Sequence, residues 1–310
     1  MANRQNMRMA WGEELEALGA ENKNVVALDA DCGRSTMSCL FEKAYPDRFF
    51  EMGISEQDMF STAAGLAVSG KIPFVHTFAI FSTGRPFDQI RQTISIGKLN
   101  VKFSGSSCGL SDFGDGSTHQ TVEDVATMSA IPNMTVLAPV DAIEVRQMVR
   151  AAAEIPGPVY IRFTRNPSLD VLPPDSEFAL GKPRVLCAGS DATIFAYGVM
   201  VEQALLAAKA LEKQGVSAQV VNVSTLKPFP YDEIAAMAEK TKAVVTAEDH
   251  SYIGGLASKV AFALRKSTVP MDFVAIMDCF GQSAHSVEEL MEHYGLTAAN
   301  IAEKVKKLLG

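Results

Sequence analysis

FFEMGISEQDMF, residues 49–60, is the stretch on which the reading turns. An apolar run, Phe49-Phe50 and then Met52-Gly53-Ile54, passes directly into Ser55-Glu56-Gln57-Asp58, and an Ala-rich helical pattern follows. Ser55 with Asp58 three residues later has the form of a capping box. Met59, Ala63, Leu66 and Ala67 make an apolar stripe, and Gly70 stands where a C′ glycine would stop the helix. Glu56 therefore falls at the first helical position, just past the end of a buried strand. Two readings are open. The carboxylate can complement the helix dipole at the surface, for a few tenths of a kcal/mol. Or it can sit at a dry strand–helix junction, where a carboxyl group can share a proton with a nitrogen base of a ligand.

Outward from this junction, short β-rich runs alternate with helical patterns. Residues 24–31, 72–81, 100–109, 134–140 and 158–164 read as strands, and 55–69, 85–97, 121–130 and 141–153 as helices. Met7, Trp11, Leu15 and Leu18 fall at helical spacing and predict an amphipathic surface helix at the N-terminus. The stretch 166–184 holds four prolines and no periodicity, which marks a linker. A second alternation follows, with strands over 191–198, 216–223, 242–248 and 271–276, helices between them, and a helical tail. The fold class is α/β, in two domains, each a mostly parallel sheet flanked by helices. Domains are expected over 1–167 and 185–310, joined by a linker at 168–184. In such sheets ligands gather at the carboxyl ends of strands. Asp31, Glu56, His119 and Arg165 all follow such ends.

Composition narrows the function classes. With 47% hydrophobic residues and 21% charged, the 310-residue chain can bury a large core. A net charge of −8 without a Lys/Arg block argues against nucleic acid or an anionic membrane as partner. No apolar run reaches the ~20 residues of a membrane span. Five cysteines without a CxxC pair favour reduced thiols and a cytoplasmic location. The five histidines show no HxxxH spacing and no Cys/His cluster, so no metal site is expected in this chain.

Four segments in this order and spacing carry a family resemblance: DADCGRST (29–36), YPDRFFEMGISEQDM (45–59), GDGSTHQTVEDVA (114–126) and PVYIRFTRNP (158–167). The chain resembles the pyrimidine-binding and C-terminal domains of the transketolase family of thiamine diphosphate enzymes, over nearly its whole length. The resemblance implies that Glu56 is the carboxyl group that hydrogen-bonds N1′ of the aminopyrimidine, so that the cofactor's own imino group can act as base. It implies aromatic stacking from HTFAIFSTGRPFDQIR (76–91), with Phe78 and Phe81 as the candidates, and a cofactor contact from Asp31. His119 matches the histidine that contacts substrate hydroxyls near the reacting carbonyl, and Asp115 a carboxylate for a sugar hydroxyl. Arg165 matches an arginine that grips the anionic end of a sugar phosphate, for which a guanidinium fork is suited, and Ser35 another position at that end. EDHSYIGGL (248–256) resembles a loop of the C-terminal domain, and its acids and histidine read as structural.

Two departures from the family pattern stand out. A second loop histidine of full transketolases aligns with Ser107, which puts the usual pentose-phosphate substrates in question. The family's diphosphate and Mg²⁺ motif, a GDG with a later Asn pair, has no counterpart, since Gly114-Asp115-Gly116 lies in the His119 loop. The resemblance thus implies the C-terminal subunit of a split transketolase. An N-terminal subunit would supply the diphosphate site and the Mg²⁺ ligands, in an α2β2 assembly acting on a sugar phosphate or similar anionic sugar. A 1-deoxyxylulose-5-phosphate synthase-like chain, the β subunit of a 2-oxo acid dehydrogenase E1 component, and a non-catalytic assembly subunit are the alternatives.

Overall fold

Glu56 opens its helix because the chain before it is a short parallel edge strand, half-buried rather than buried as expected, that ends in a tight turn. The computed structural model describes residues 3–310. The strand Phe49–Glu51 lies at one edge of a seven-stranded sheet and pairs in parallel with Val25–Asp29. Gly53, at φ +65°, turns the chain, and the helix Glu56–Val68 follows. At its far end the N–H groups of Gly70 and Lys71 donate to the carbonyls of Ala67 and Leu66, the Schellman pattern expected of that glycine. The capping box is not formed. Ser55 makes no side-chain hydrogen bond to the helix start, and its own N–H donates to the Gly53 carbonyl in the turn.

From the edge inward the sheet runs Phe49–Glu51, Val25–Asp29, Ile72–His76, Lys102–Ser106, Val159–Phe163 and Thr135–Leu137, all parallel. Val25–Asp29, Lys102–Ser106 and Val159–Phe163 are buried throughout, as strands covered on both faces must be. The seventh strand, Thr225–Lys227, comes from the second half of the chain and pairs antiparallel with Thr135–Leu137. A five-stranded sheet forms the second domain, in the order Met271–Ile276, Ala243–Ser251, Ala192–Ala196, Ala218–Asn222 and Arg184–Cys187. Only the last strand is antiparallel. The N-terminal helix Met7–Glu21 buries Met7, Trp11, Leu15 and Leu18 against the first sheet, as its spacing predicts.

Three segments differ from the sequence reading. Residues 72–81 are not one strand: the strand ends at His76, and Ala79–Thr83 is a short helix. The helix expected over 85–97 is π-helical through Gln89–Ser95, a geometry that often marks functional sites. Within the proline-rich stretch, Ser168–Leu169 pairs with Arg4–Gln5, and the Val171 and Leu172 N–H groups donate to Asp141.

Buried charge joins the two domains. Arg162, on the first sheet, donates to Asp124 at 2.8 Å and to Asp249 of the second domain at 2.8 Å, and all three side chains are buried. Glu248 accepts from the Leu256 and Ala257 N–H groups at the start of a helix, and His250 accepts from the Ala126 N–H. The bonds of Glu248, Asp249 and His250 thus go to helix ends and across the domain boundary.

Candidate active site

The Glu56 side chain is 5% exposed and pairs with Arg85, whose Nη1 lies 2.5 Å from Oε1. Arg85 is half-exposed, and its guanidinium also lies over the Phe81 ring, 4.0 Å from the centroid. The short helix Ala79–Thr83 carries Phe81, and the turn that follows it at Gly84 brings Arg85 back over the Phe81 ring. Phe78 and Phe81 are nearly parallel, with centroids 5.9 Å apart and an interplanar angle of 17°. Phe78 is buried and Phe81 half-buried.

His119 reaches the same aromatic pair. Its ring stands edge-on to Phe81 at 5.2 Å and to Phe78 at 6.3 Å, and its Nδ1 lies 3.0 Å from Thr118 Oγ. The loop that carries it is braced from both domains. Gln120 donates to the carbonyls of Asp112 and Gln282, and the Ala284 N–H donates to the Phe113 carbonyl. Gly109, at φ +58°, lets the loop pass close to Asp249: a Cβ there would come within 2.0 Å of that carboxylate. Glu56, Phe78, Phe81 and His119 therefore form one cluster through Arg85 and the aromatic rings.

A second cluster gathers charge. Arg165 Nη1 donates to both oxygens of Asp112, at 3.0 and 2.9 Å. Asp112 is buried, and burial raises its carboxyl above the usual carboxylate range, with Arg165 lowering it and a hydrogen bond to Asp115 raising it further. Arg8 donates to the Ser35 carbonyl at 2.8 Å and lies close enough to Arg165 and Asp112 for both charges to act on it. Burial lowers its guanidinium first and the charge of Arg165 second. Arg165, Asp115 and Ser35 are thus brought together through Asp112 and Arg8. The sequence reading did not single out Arg8, Asp112 or Arg85. Arg85 lay inside the quoted aromatic segment and Asp112 three residues before Asp115; Arg8 had no signal beyond its place on the N-terminal helix beside Met7.

Asp31 is exposed in a left-handed turn, φ 57°, and its N–H donates to Glu51. Its carboxylate and that of Glu56 both act on the Cys32 thiol, which burial first and Asp29 next push up to about 11. The Asp31 side chain makes no hydrogen bond or ion pair with the Glu56 cluster among the described residues. Asp29 beneath it is a structural acid, held by the Cys32 N–H and the Thr36 and Ser38 hydroxyls, with burial raising it to about 6. Ser107 is buried, with φ +58° and its hydroxyl unpartnered. Among the described residues no group of three or more His, Cys, Asp or Glu side chains is placed to hold a metal ion, and no helix is long and apolar enough to cross a membrane.

The fold is that of a two-domain α/β protein in which the candidate residues follow the carboxyl ends of one parallel sheet, with a buried carboxylate and an aromatic pair in one cluster and two arginines in another. The profile described as transketolase, pyrimidine binding domain, matches residues 3–168, and that described as transketolase, C-terminal domain, matches residues 181–301. Together with the relatives below, they show that the chain belongs to the transketolase family. A 6-deoxy-6-sulfo-D-fructose transketolase subunit SqwH of a Clostridium species is 43% identical over 296 residues, covering 95% of this chain and 92% of its own length. One of the subunits of an apulose-4-phosphate transketolase from Phocaeicola vulgatus is 35% identical over 297 residues, covering 96% and 95%. A solved structure titled "Split gene transketolase, inactive beta4 tetramer" superposes with a TM-score of 0.90 at 44% identity, over 99% of both chains. The chain corresponds to the C-terminal subunit of a transketolase divided between two polypeptides.

Proposed function

We propose that this chain, with a partner subunit that carries the diphosphate-binding domain, transfers a two-carbon ketol unit from an anionic ketose to an aldose. The carrying observation is the buried carboxylate of Glu56 at a strand–helix junction, one guanidinium away from the Phe81 ring and His119. These residues fit the pyrimidine half of thiamine diphosphate: a carboxyl group in a dry pocket for a ring nitrogen, and two near-parallel aromatic faces beside it. Bound thiamine diphosphate supplies the thiazolium carbon that carries the ketol unit.

In this reading Glu56 hydrogen-bonds the ring nitrogen and holds a proton there, and Phe78 and Phe81 orient the ring. Arg85 lies on the Phe81 face and on the Glu56 carboxylate, so it has to move aside for a ring to take both contacts. His119 binds hydroxyl groups of the sugar beside the reacting carbon, and Asp115 binds one further along. Arg165, Arg8 and the Ser35 segment hold the anionic terminus. Asp31 borders the cofactor's ring from the turn above Cys32. Mg²⁺ and the diphosphate take their ligands from the partner, as the missing GDG and Asn-pair motif of this chain implies. The pyrimidine domain spans 1–167, the linker 168–184 and the C-terminal domain 185–310, and two such chains sit in an α2β2 assembly. Five free thiols fit a reducing cytoplasm.

Both relatives are named for ketoses that carry an anionic group, a sulfonate in one and a phosphate in the other, which supports an anionic substrate without choosing between them. Calorimetry with cofactor and Mg²⁺, with and without the partner, is the test. Weak binding and no turnover by the chain alone, with tight binding and ketol transfer by the pair, are expected. Full ketol transfer by this polypeptide alone would overturn the divided-site reading.

A further inference from the structure

The anionic end of the site holds two guanidiniums, and a buried carboxylate is fixed between them and the loop. Asp112 takes both of its contacts from Arg165 Nη1, and its side chain is 4% exposed against 36% for Arg165. Among the described residues, Nη2 and Nε of Arg165 donate to no protein atom, so these remain for a ligand. Arg8 approaches from the N-terminal helix. Its Nη1 is anchored on Ser35, while its Nε is buried and unpartnered. Asp115 adds a second carboxyl group, hydrogen-bonded to Asp112. Ser107, where the resemblance puts a further histidine, contributes no cation.

The charge at this end therefore falls short of what its two arginines suggest. Arg8 and Arg165 bring two positive charges, Asp112 cancels one of them at contact distance, and Asp115 stands beside it. A buried carboxylate is poorly screened, so it acts on whatever anion Arg165 binds. The hydrogen bond between Asp112 and Asp115 requires a shared proton, so the two carboxyls together carry one negative charge, and a terminal group with one negative charge is matched by the single positive charge that remains. A second negative charge on the same group gains no further cation and meets Asp112. Sulfonate and phosphate termini both present three oxygens in a tetrahedral array, and at neutral pH they differ chiefly in charge.

Taking the ketol transfer proposed above as given, we propose that Asp112 is a specificity-determining residue that sets this end of the site for a singly charged oxyanion terminus, of the sulfonate type, in preference to a dianionic phosphate.

The experiment compares kcat/KM of the assembled two-subunit enzyme on a ketose 6-phosphate and on its 6-deoxy-6-sulfonate counterpart at pH 8, for the unsubstituted chain, Asp112→Asn and Asp112→Ser. The unsubstituted enzyme should prefer the sulfonate. Either substitution should raise the phosphate-to-sulfonate ratio about tenfold, the scale of one unit charge at short range in a partly screened site. Lowering the pH to about 5.5, where a phosphate ester is mostly singly charged, should narrow the preference in the unsubstituted enzyme and do so less in the variants. A merely structural role would lower both rates together and leave the ratio and its pH dependence unmoved, and that result would overturn the assignment. So would a preference for phosphate in the unsubstituted enzyme. An assembled pair that transfers a ketol unit from neither ketose overturns the functional reading itself; a pair that transfers with an unchanged ratio overturns only the role of Asp112.

Discussion

The role given to Glu56 separates into two measurable parts, placement and proton exchange. Glu56→Gln keeps the shape and the bond to a ring nitrogen but has no proton to share. The variant should fold and assemble, yet lose activity by about a hundredfold or more. Hydrogen–deuterium exchange at the cofactor's reactive carbon reads this directly, and an unchanged rate in the assembled variant would refute the role. Arg165→Ala should raise KM for ketoses with an anionic terminus by the equivalent of about 1.5–3 kcal/mol, and spare neutral ketoses. Equal losses on both would make Arg165 a structural partner of Asp112. The residues that the sequence yielded and those it did not differ in kind. Glu56, His119 and Arg165 stand in the segments that carry the family resemblance. Arg8 and Asp112 matter only through what they meet: Arg8 is a half-buried polar residue off the apolar stripe that makes its helix legible, and it reaches Ser35 and the Asp112–Arg165 pair only after that helix has packed on the sheet.

Among the elements, parallel strands were the most legible, because burial on both faces demands unbroken apolar runs. Short connecting pieces were the least. The helix Ala79–Thr83, which carries Phe81 and leads into the turn before Arg85, continues a β-like run and has no periodic signature of its own. The capping box was misread because the preceding glycine turn already occupies the Ser55 N–H, the donor that the Asp58 carboxylate would have needed. The strand Ile72–His76 carries a pH dependence. His76 is fully buried against Trp11, with Nδ1 on the Leu28 carbonyl and Nε2 unpartnered. Burial pushes its pKa down to about 4. Between about pH 4 and 6.5 the unfolded chain binds the proton and the folded chain does not, so this residue's contribution rises with pH through that window and is flat above it. The integrated effect is on the order of 3 kcal/mol. Asp29, raised to about 6, acts in the opposite direction over an overlapping range. The difference between wild type and His76→Phe therefore isolates the histidine. The denaturant midpoint of wild type should fall relative to that of His76→Phe as pH drops from 6.5 to 4, and parallel curves would mean that His76 does not titrate as described.

At the scale of the whole molecule, two domains were legible and their mutual dependence was not. The Arg162 cluster and the paired strand Thr225–Lys227 are contacts between residues far apart in sequence, and a linear pattern carries no trace of them. Lys227 donates to the Ser129 and Ile131 carbonyls at the end of a first-domain helix, and its strand covers the open side of Thr135–Leu137. A fragment ending near residue 180 would leave that edge bare and the buried Arg162 without its Asp249 partner, and exposed edges invite association. Size-exclusion chromatography of residues 1–183 should show aggregates, and co-expression with 184–310 should restore a defined species. A monodisperse, folded fragment would contradict this.

That borrowed strand also bears on how such enzymes can be cut and shuffled. The place where the two profiles meet looks like a seam between cassettes, yet a stretch about 50 residues further on is stitched back across it. A crossover at that seam, by recombination or by an engineer exchanging modules between relatives, would bring together a sheet edge and a strand that had never been fitted to each other. Chimeras of this family should therefore tolerate a junction upstream of the N-terminal helix far better than one inside the proline-rich stretch.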